Sequence, residues 1–365
     1  MKALGIMSGT SLDGITIALI EADPNAENLN ILHYKTYPYS DEVKNRIKEV
    51  SEHGVVDEVS NLNYELGVIF SHAVSRFLTD FGIDFNEIFV IGLHGQTIYH
   101  NSGISTLQIG EPSFIAIRNH IDVVSNFRSK DIVLGGTGAP LIPYFDFLYF
   151  RKFSPVALVN LGGISNITFV PDNDPSHVIA FDMGPCNMVL DKSAQVLFGV
   201  DFDKDGAFAM QGKINDEMLD YLKNNEYILK KPPKSAGRSE FGDKFFGDIL
   251  EKFGKINKFD FIATLNMFVA YSIAYSIKNF INSRFNLLVL SGGGAKNKTL
   301  VENIKRLLND FEVKHSDNFG IPSEAKEAVA FGVYAIRSKL KLKSHLPQTT
   351  GSKSDYIMGS LTYGE

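Results

Sequence analysis

The 365-residue sequence has a single cysteine, Cys186, and no tryptophan. One cysteine excludes an intrachain disulfide, and the lack of any Cys/His cluster excludes a structural zinc site. His94 and His100 do not have the His-x-x-x-His spacing of a helical metal pair, so neither reads as a ligand. Positive charge is not in excess. With 36 Lys and Arg against 42 Asp and Glu, the net charge is −6, which favours neither nucleic acid nor an anionic membrane surface. The basic run Lys230-Lys231-Pro232-Pro233-Lys234 reads as solvated loop. No apolar run reaches the ~20 residues of a membrane helix, and no charged-then-apolar leader precedes the first strand. The expectation is a cytoplasmic protein with no membrane or nucleic-acid partner. No Gly-x-x-x-x-Gly-Lys-Ser/Thr occurs either, so a P-loop nucleotide site is not supported.

What is present is ordinary globular material, 44% hydrophobic and 21% charged, with 28 Phe that speak for core packing. The length exceeds what one core normally serves, so two domains are expected. The first twenty residues organise the rest. Leu4-Gly5-Ile6-Met7 is apolar, Ser8-Gly9-Thr10-Ser11-Leu12-Asp13-Gly14 is a turn rich in glycine and hydroxyls, and Ile15-Thr16-Ile17-Ala18-Leu19-Ile20 resumes a β-branched run. Such a hairpin offers backbone N–H groups, hydroxyls and one carboxylate, with glycines that admit a ligand to the backbone. That equipment suits phosphate and a hydrated cation.

A third strand candidate spans Leu29 to Tyr37, and Val56 to Phe81 carries a helical apolar pattern through Leu62, Leu66, Ile69, Phe70, Val74 and Phe77. Ile88-Phe89-Val90-Ile91-Gly92-Leu93 reads as a strand buried on both faces and ending at His94-Gly95-Gln96-Thr97, where ligands of open α/β sheets gather. Gly135 to Pro140 is a glycine-dense loop that marks the crossing between lobes. About 150 residues after the first hairpin the pattern returns: an apolar run from Pro155, the turn Leu161-Gly162-Gly163-Ile164, a second run to Val170, then a strand ending near Asp182. A third element joins a buried strand, Leu287 to Ser291, a flat Gly292-Gly293-Gly294 loop and a helix from Asn297. For that loop taken alone, plain turn and ligand contact are both open. Two such lobes resemble the actin, hexokinase and heat-shock-chaperone ATPase group, and the resemblance implies a two-lobed α/β fold (duplicated ribonuclease-H-like) with a central nucleotide cleft. One lobe is expected from residues 1–130 plus about 335–365, the other from 131–334.

The motif series Gly5 to Gly14, His94-Gly95-Gln96-Thr97, Leu107-Gln108-Ile109-Gly110, Gly138-Ala139-Pro140-Leu141, Asn160-Leu161-Gly162-Gly163-Ile164 and Phe181-Asp182 resembles that of the anhydro-N-acetylmuramic acid kinases. Pro232-Pro233-Lys234-Ser235, Gly237-Arg238, Ser291 to Gly294 and Glu327 to Phe331 continue the resemblance over nearly the whole chain. It implies an ATP- and Mg²⁺-dependent kinase that opens the internal ether of 1,6-anhydro-N-acetylmuramic acid with water while the 6-oxygen takes the γ-phosphoryl group. That chemistry belongs to peptidoglycan recycling. The resemblance also implies a homodimer, and it makes Asp182 the base that activates water and Glu327 a residue that reaches the sugar.

From the residues themselves, phosphoryl transfer asks for positioning and charge stabilisation. Ser8, Gly9, Thr10, Ser11 and Gly14 would surround the γ-phosphate, Asp13 would hold a magnesium water or a substrate hydroxyl, with no direct metal ligand, and Gly162 and Gly163 would hold the outer phosphates from the other lobe; the resemblance to the actin-like group implies that the Gly292 to Gly294 loop passes under the adenosine. His94 and Gln96 offer neutral hydrogen bonds to a sugar. Arg128 offers a bidentate fork to the lactyl carboxylate, with a surface ion pair to Asp131 as its alternative. Asp182 also reads as a helix N-cap or turn residue, Asp13 as an Asp-Gly turn and Glu327 as an exposed helix glutamate. Two other functions stay open: an ordinary sugar kinase, with Asp182 acting on a hydroxyl, and a nucleotide-switched binding protein, which would lack the set His94, Gln96, Arg128 and Glu327. Three departures from the family pattern stand out. Cys186 occupies a usual glycine position and reads as a partly exposed thiol, Thr137 replaces a glutamine, and no acidic residue precedes Phe127-Arg128.

Overall fold

Near-continuous apolar runs with β-branched residues suit strands covered on both faces, and two such runs form β1 (Lys2–Ser8) and β2 (Gly14–Glu21). The computed structural model describes residues 1–9 and 12–365 and pairs these strands antiparallel, Lys2 opposite Glu21 and Ser8 opposite Ile15. β3 (Asn30–Pro38) continues the meander on β2. β4 (Ile88–Asn101) lies parallel to β1, β5 (Ser105–Ile109) folds back on its distal half, and β6 (Val123–Ser125) runs parallel to its proximal half. β4 does not stop at Leu93 as expected. Its pairing with β1 ends at Ser8 opposite Gln96, and there β5 takes over with Ile109 opposite Gln96, so the strand runs on through His94 to Asn101. The helix Val56–Phe81 buries Leu62, Leu66, Phe70, Val74 and Phe77 in the core shared with β1 and β2.

The second half repeats this plan. β7 (Val156–Leu161), β8 (Ile164–Val170) and β9 (Ile179–Pro185) form an antiparallel meander, while β10 (Leu287–Ser291) and β11 (Glu312–His315) add in parallel beside β7. The order β9-β8-β7-β10-β11 copies β3-β2-β1-β4-β6 strand for strand. The helix Lys258–Phe280 is long and apolar enough to cross a membrane by length and composition. It is buried along most of its length and forms the centre of this unit's core, with Phe261, Leu265, Phe268 and Ile273 inward.

β12 (Ser360–Thr362) returns to the first sheet and pairs antiparallel with β6, Ser360 opposite Ser125. The chain divides into Met1–Tyr149 with Gly320–Glu365, and Phe150–Phe319. The boundaries expected near residues 130 and 335 are therefore displaced, for two reasons. Residues 131–149 are tied to the first unit: Tyr334 donates its hydroxyl to Leu141 O (2.6 Å) and accepts from the Phe145 N–H (2.9 Å). The Gly135–Pro140 loop is likewise held there, Thr137 N–H to Thr350 O (3.0 Å), and is not the crossing. The helix Lys326–Lys339 lies directly on β1 and β4. A Cβ at Gly5 would stand 1.8 Å from Ala328 O and one at Gly92 2.1 Å from Phe331 O, so only glycine permits this approach.

Candidate active site

The first hairpin turn is braced from beneath. Ser8, 1% exposed, donates its hydroxyl to Gln96 Oε1 (2.5 Å) and so accepts from Tyr39 OH (2.7 Å). Gln96 Nε2 turns to Thr97 O (3.2 Å) and Gly9 O (3.4 Å). The hydroxyl of Ser8 and the amide of Gln96 are thus spent inside the fold, which corrects their expected use on phosphate and sugar. Desolvation raises the Tyr39 pKa and keeps the phenol a neutral donor. Gly14 sits so close under β3 that a Cβ would meet Tyr37 O at 2.2 Å, and Asp13 is exposed at the tip. Thr10 and Ser11 lie outside the described residues.

His94 is buried, and both ring nitrogens are engaged. Nδ1–H donates to Gly95 O (2.8 Å), which leaves Nε2 to accept from Arg128 Nε (3.1 Å) and Nη2 (3.0 Å). Burial, reinforced by the guanidinium, pushes its pKa down to about 3, so the ring is a neutral acceptor. Its expected hydrogen bonds to a sugar are replaced by a bond that orients Arg128. Arg128 Nη1 donates to Gly138 O (2.9 Å); of the five donors of a guanidinium, two are left for a ligand. The half-buried Arg128 pairs with His94 and Gly138, not with Asp131. Asp131 instead accepts from Gly138 N–H (2.6 Å), Thr350 Oγ1 (2.7 Å) and His345 Nε2 (3.0 Å). That clamp by the carboxyl-terminal segment had no signal in the sequence.

Glu327, on the first turn of the Lys326–Lys339 helix, accepts no hydrogen bond from the described residues. Its side chain reaches solvent but is walled by protein, so desolvation raises its carboxyl pKa against the pull of Arg128 and Lys326. The ring of Phe331, one turn further on, packs on His94 at 4.8 Å. One helix thus sets both the carboxylate and the wall behind the Arg128–His94 pair. A cavity of about 450 Å³ opens beside His94, lined also by Val56, Gln108, Glu111 and Asn126.

In the second unit, β7 and β10 are parallel with Asn160 opposite Ser291, which brings the two following glycine turns side by side. Gly292 has φ +83°, and a Cβ there would lie 2.6 Å from Asn160 Oδ1 and 2.9 Å from Leu161 O. Gly293 to Lys296 is a turn of 3₁₀ helix, not the flat loop expected, and Asn297 caps the helix that follows through Leu300 N–H (2.9 Å). The carbonyls of Gly162 and Gly163 accept N–H groups from Cys186, Asn187 and Met188 at 2.9 to 3.1 Å. This inward use leaves the exposed faces of Gly163 and Gly293 toward solvent. Cys186 is fully buried with φ −141°. The expected partial exposure is corrected, its negative φ lies outside the left-handed region that favours glycine, and burial pushes the thiol pKa up.

Asp182 lies inside β9, opposite Asn166, and not at a strand end. Its Oδ2 accepts from Ala236 N–H (2.9 Å) and Ser235 Oγ (3.1 Å); Oδ1 accepts from none of the described residues. Desolvation raises its pKa, opposed by those two donors and by the Lys234 cation, while Glu240 adds to the rise. Lys234 is itself pushed down to about 8, by burial first. This arrangement is a carboxylate with one oxygen fixed and the other open to accept a proton. The clasp comes from residues more than fifty positions away, and only the Pro232 to Ser235 motif hinted at it.

Two units of one strand order, each opening on a glycine-turn hairpin, define the two-lobed ATPase fold of actin and the sugar kinases. A family model described as anhydro-N-acetylmuramic acid kinase matches residues 1–364. The chain is 42% identical to the anhydro-N-acetylmuramic acid kinase of Clostridioides difficile (strain 630) over 99% of this chain and 98% of that one. It is 38% identical to the enzyme of that name from Bacillus cereus (strain AH187), over 100% and 99%. Among solved structures, component A of (R)-2-hydroxyglutaryl-CoA dehydratase from Acidaminococcus fermentans matches with a TM-score of 0.50 at 13% identity, over 93% of this chain and all of the other, a likeness of fold alone. The chain belongs to the anhydro-N-acetylmuramic acid kinase family and is an ATP-dependent phosphotransferase.

Proposed function

We propose that the protein converts 1,6-anhydro-N-acetylmuramic acid, ATP and water to N-acetylmuramic acid 6-phosphate and ADP. Water adds its oxygen to the anomeric carbon, the bond from that carbon to O6 breaks, and O6 takes the γ-phosphoryl group. Asp182 takes the water's proton on Oδ1. The observation that carries this reading is the asymmetry of Asp182, with Oδ2 held by Ser235 and Ala236 and Oδ1 open.

Arg128, oriented by His94 and Gly138 O, presents its two remaining donors to the lactyl carboxylate. Glu327 accepts from a sugar hydroxyl or amide. Ser8 and Gln96 act as struts that hold the turn with Gly9 and Gly14, whose backbone approaches the transferring phosphoryl group. Gly162, Gly163 and Gly292 to Gly294 take the rest of the nucleotide. Among the described residues no three His, Cys, Asp or Glu side chains converge as metal ligands, and a single exposed carboxylate, Asp13, stands at the turn. Asp13 would hold Mg²⁺ arriving on ATP through a water, and the ion would supply charge neutralisation on the phosphates. The family resemblance supports a cytoplasmic homodimer.

The test is the reaction in ¹⁸O-water. Label at the anomeric hydroxyl of a 6-phosphorylated product is expected. Phosphate on an intact anhydro ring, or on a different hydroxyl with no label, replaces this reading with an ordinary sugar kinase.

A further inference from the structure

Lys234 carries a buried charge that the reaction above leaves unused. It is 6% exposed, and no carboxylate of the described residues lies within ion-pair distance of it. Its Nζ donates to Tyr227 O (3.1 Å) and Ile228 O (3.2 Å) and faces the rings of Tyr227 and Phe280, 4.8 and 5.0 Å from their centroids. A cation so desolvated is costly unless its surroundings use the charge. The backbone beside it leads straight to Asp182. Lys234 O accepts the Asp182 N–H (3.2 Å), and the next two residues supply both donors to Asp182 Oδ2. Tyr227, whose carbonyl the ammonium holds, returns its own hydroxyl to Asp182 O (3.0 Å).

We propose that Lys234 is a positioning residue for Asp182: its ammonium ties the loop that clasps Oδ2 to the Tyr227 turn and holds the carboxylate in its ionised form. This rests on the reading of Asp182 as the base. The charged and titratable groups around the pair are few. Glu240 acts on Asp182 with the sign opposite to that of Lys234, Lys230 opposes the charge on Lys234, and the Tyr227 phenol stays neutral because desolvation, then Asp182 and Glu240, raise its pKa. Lys234 is therefore the positive charge that favours ionised Asp182, and its loss raises the carboxyl pKa.

The experiment measures kcat and KM against pH for the full-length protein and for Lys234→Met, Lys234→Gln, Lys234→Arg and Asp182→Asn, with folding of each followed by circular dichroism. Lys234→Met is expected to lower kcat by about 10²-fold, the scale of a small misplacement of a reacting group, with KM for the sugar nearly unchanged. The acid limb of its kcat profile moves to higher pH. Lys234→Gln keeps a donor for the carbonyls and drops the charge, so it moves the same limb even if Lys234→Met does not fold. Lys234→Arg restores the limb and most of kcat. A wild-type acid limb in both neutral variants overturns the proposal, as does equal loss in the Arg and Gln variants with the limb unmoved. Wild-type turnover in Asp182→Asn would instead refute the base assignment.

Discussion

Removing the carboxylate of Asp131 is expected to loosen the first unit from its carboxyl-terminal side. Asp131 is fully buried and takes three donors, the Gly138 N–H (2.6 Å), Thr350 Oγ1 (2.7 Å) and His345 Nε2 (3.0 Å). Each buried donor left unpaired costs about 1–3 kcal/mol. In Asp131→Ala the His345 Nε2–H can donate to Thr350 Oγ1, 2.9 Å away, so not all three are stranded. The expected loss is about 2–6 kcal/mol, two stranded donors at that rate. Asp131→Asn keeps one acceptor and turns an amide toward existing donors, for a loss of about 2 kcal/mol. Urea unfolding gives the totals. Hydrogen exchange locates them, with protection lost in residues 135–140 and 345–353. The effect has a pH signature. Desolvation acts to raise the Asp131 pKa, but the bonds from His345, Thr350 and Gly138 outweigh it, and the pKa is lowered. A folded pKa below the unfolded value of about 3.9 means stabilisation that is complete above that value and fades as pH falls through the folded pKa. Wild type should show this acid limb and Asp131→Asn should not. A loss under about 1 kcal/mol in Asp131→Ala, or exchange unchanged in both segments, refutes the reasoning.

His94 gives a second acid effect. Its folded pKa of about 3 lies below the unfolded ~6.5, so the unfolded chain binds the proton first and stability declines as pH falls from about 6.5 toward 3. His94→Gln should flatten the melting temperature against pH over that interval; an unchanged slope argues against a neutral, buried ring. The Cys186 thiol, buried and raised in pKa, should resist thiol reagents in the native protein and titrate as one equivalent in denaturant, and Cys186→Gly should retain turnover. Rapid native labelling, or collapse of turnover in the glycine variant, would contradict this.

Features set by neighbours in the chain were legible in the sequence. The glycine turns at Ser8 to Gly14 and Gly162-Gly163 lie between strands that pair with each other, and their repetition announced the duplicated sheet. The Val56–Phe81 helix follows from its apolar spacing alone. What failed to show was direction and distance. Gln96 and His94 were visible as polar residues after an apolar run, but whether they face a ligand or the fold depends on Ser8, Tyr39 and Arg128, far off in sequence. The division of the chain depended on Asp131, Tyr334 and Thr350, whose partners lie about 190 to 220 residues away. The grip on Asp182 by Ser235 and Ala236 has the same character.

The first unit is interrupted and the second is continuous, and this has a consequence for synthesis on the ribosome. Residues 150–319 can close their five-stranded sheet with every strand already made. The first sheet at that moment lacks β12 and the Lys326–Lys339 helix, whose backbone covers Gly5 and Gly92. At translation rates of ~5–20 residues per second, residues 320–365 take about 2–9 s to appear. During that interval Gly5, Ile20 and Gly92, which meet Ala328, Gly332 and Phe331 in the finished fold, lie on a sheet face that is still uncovered. The older part of the nascent chain is therefore the later to mature, since one of its sheet faces stays open until its last helix arrives.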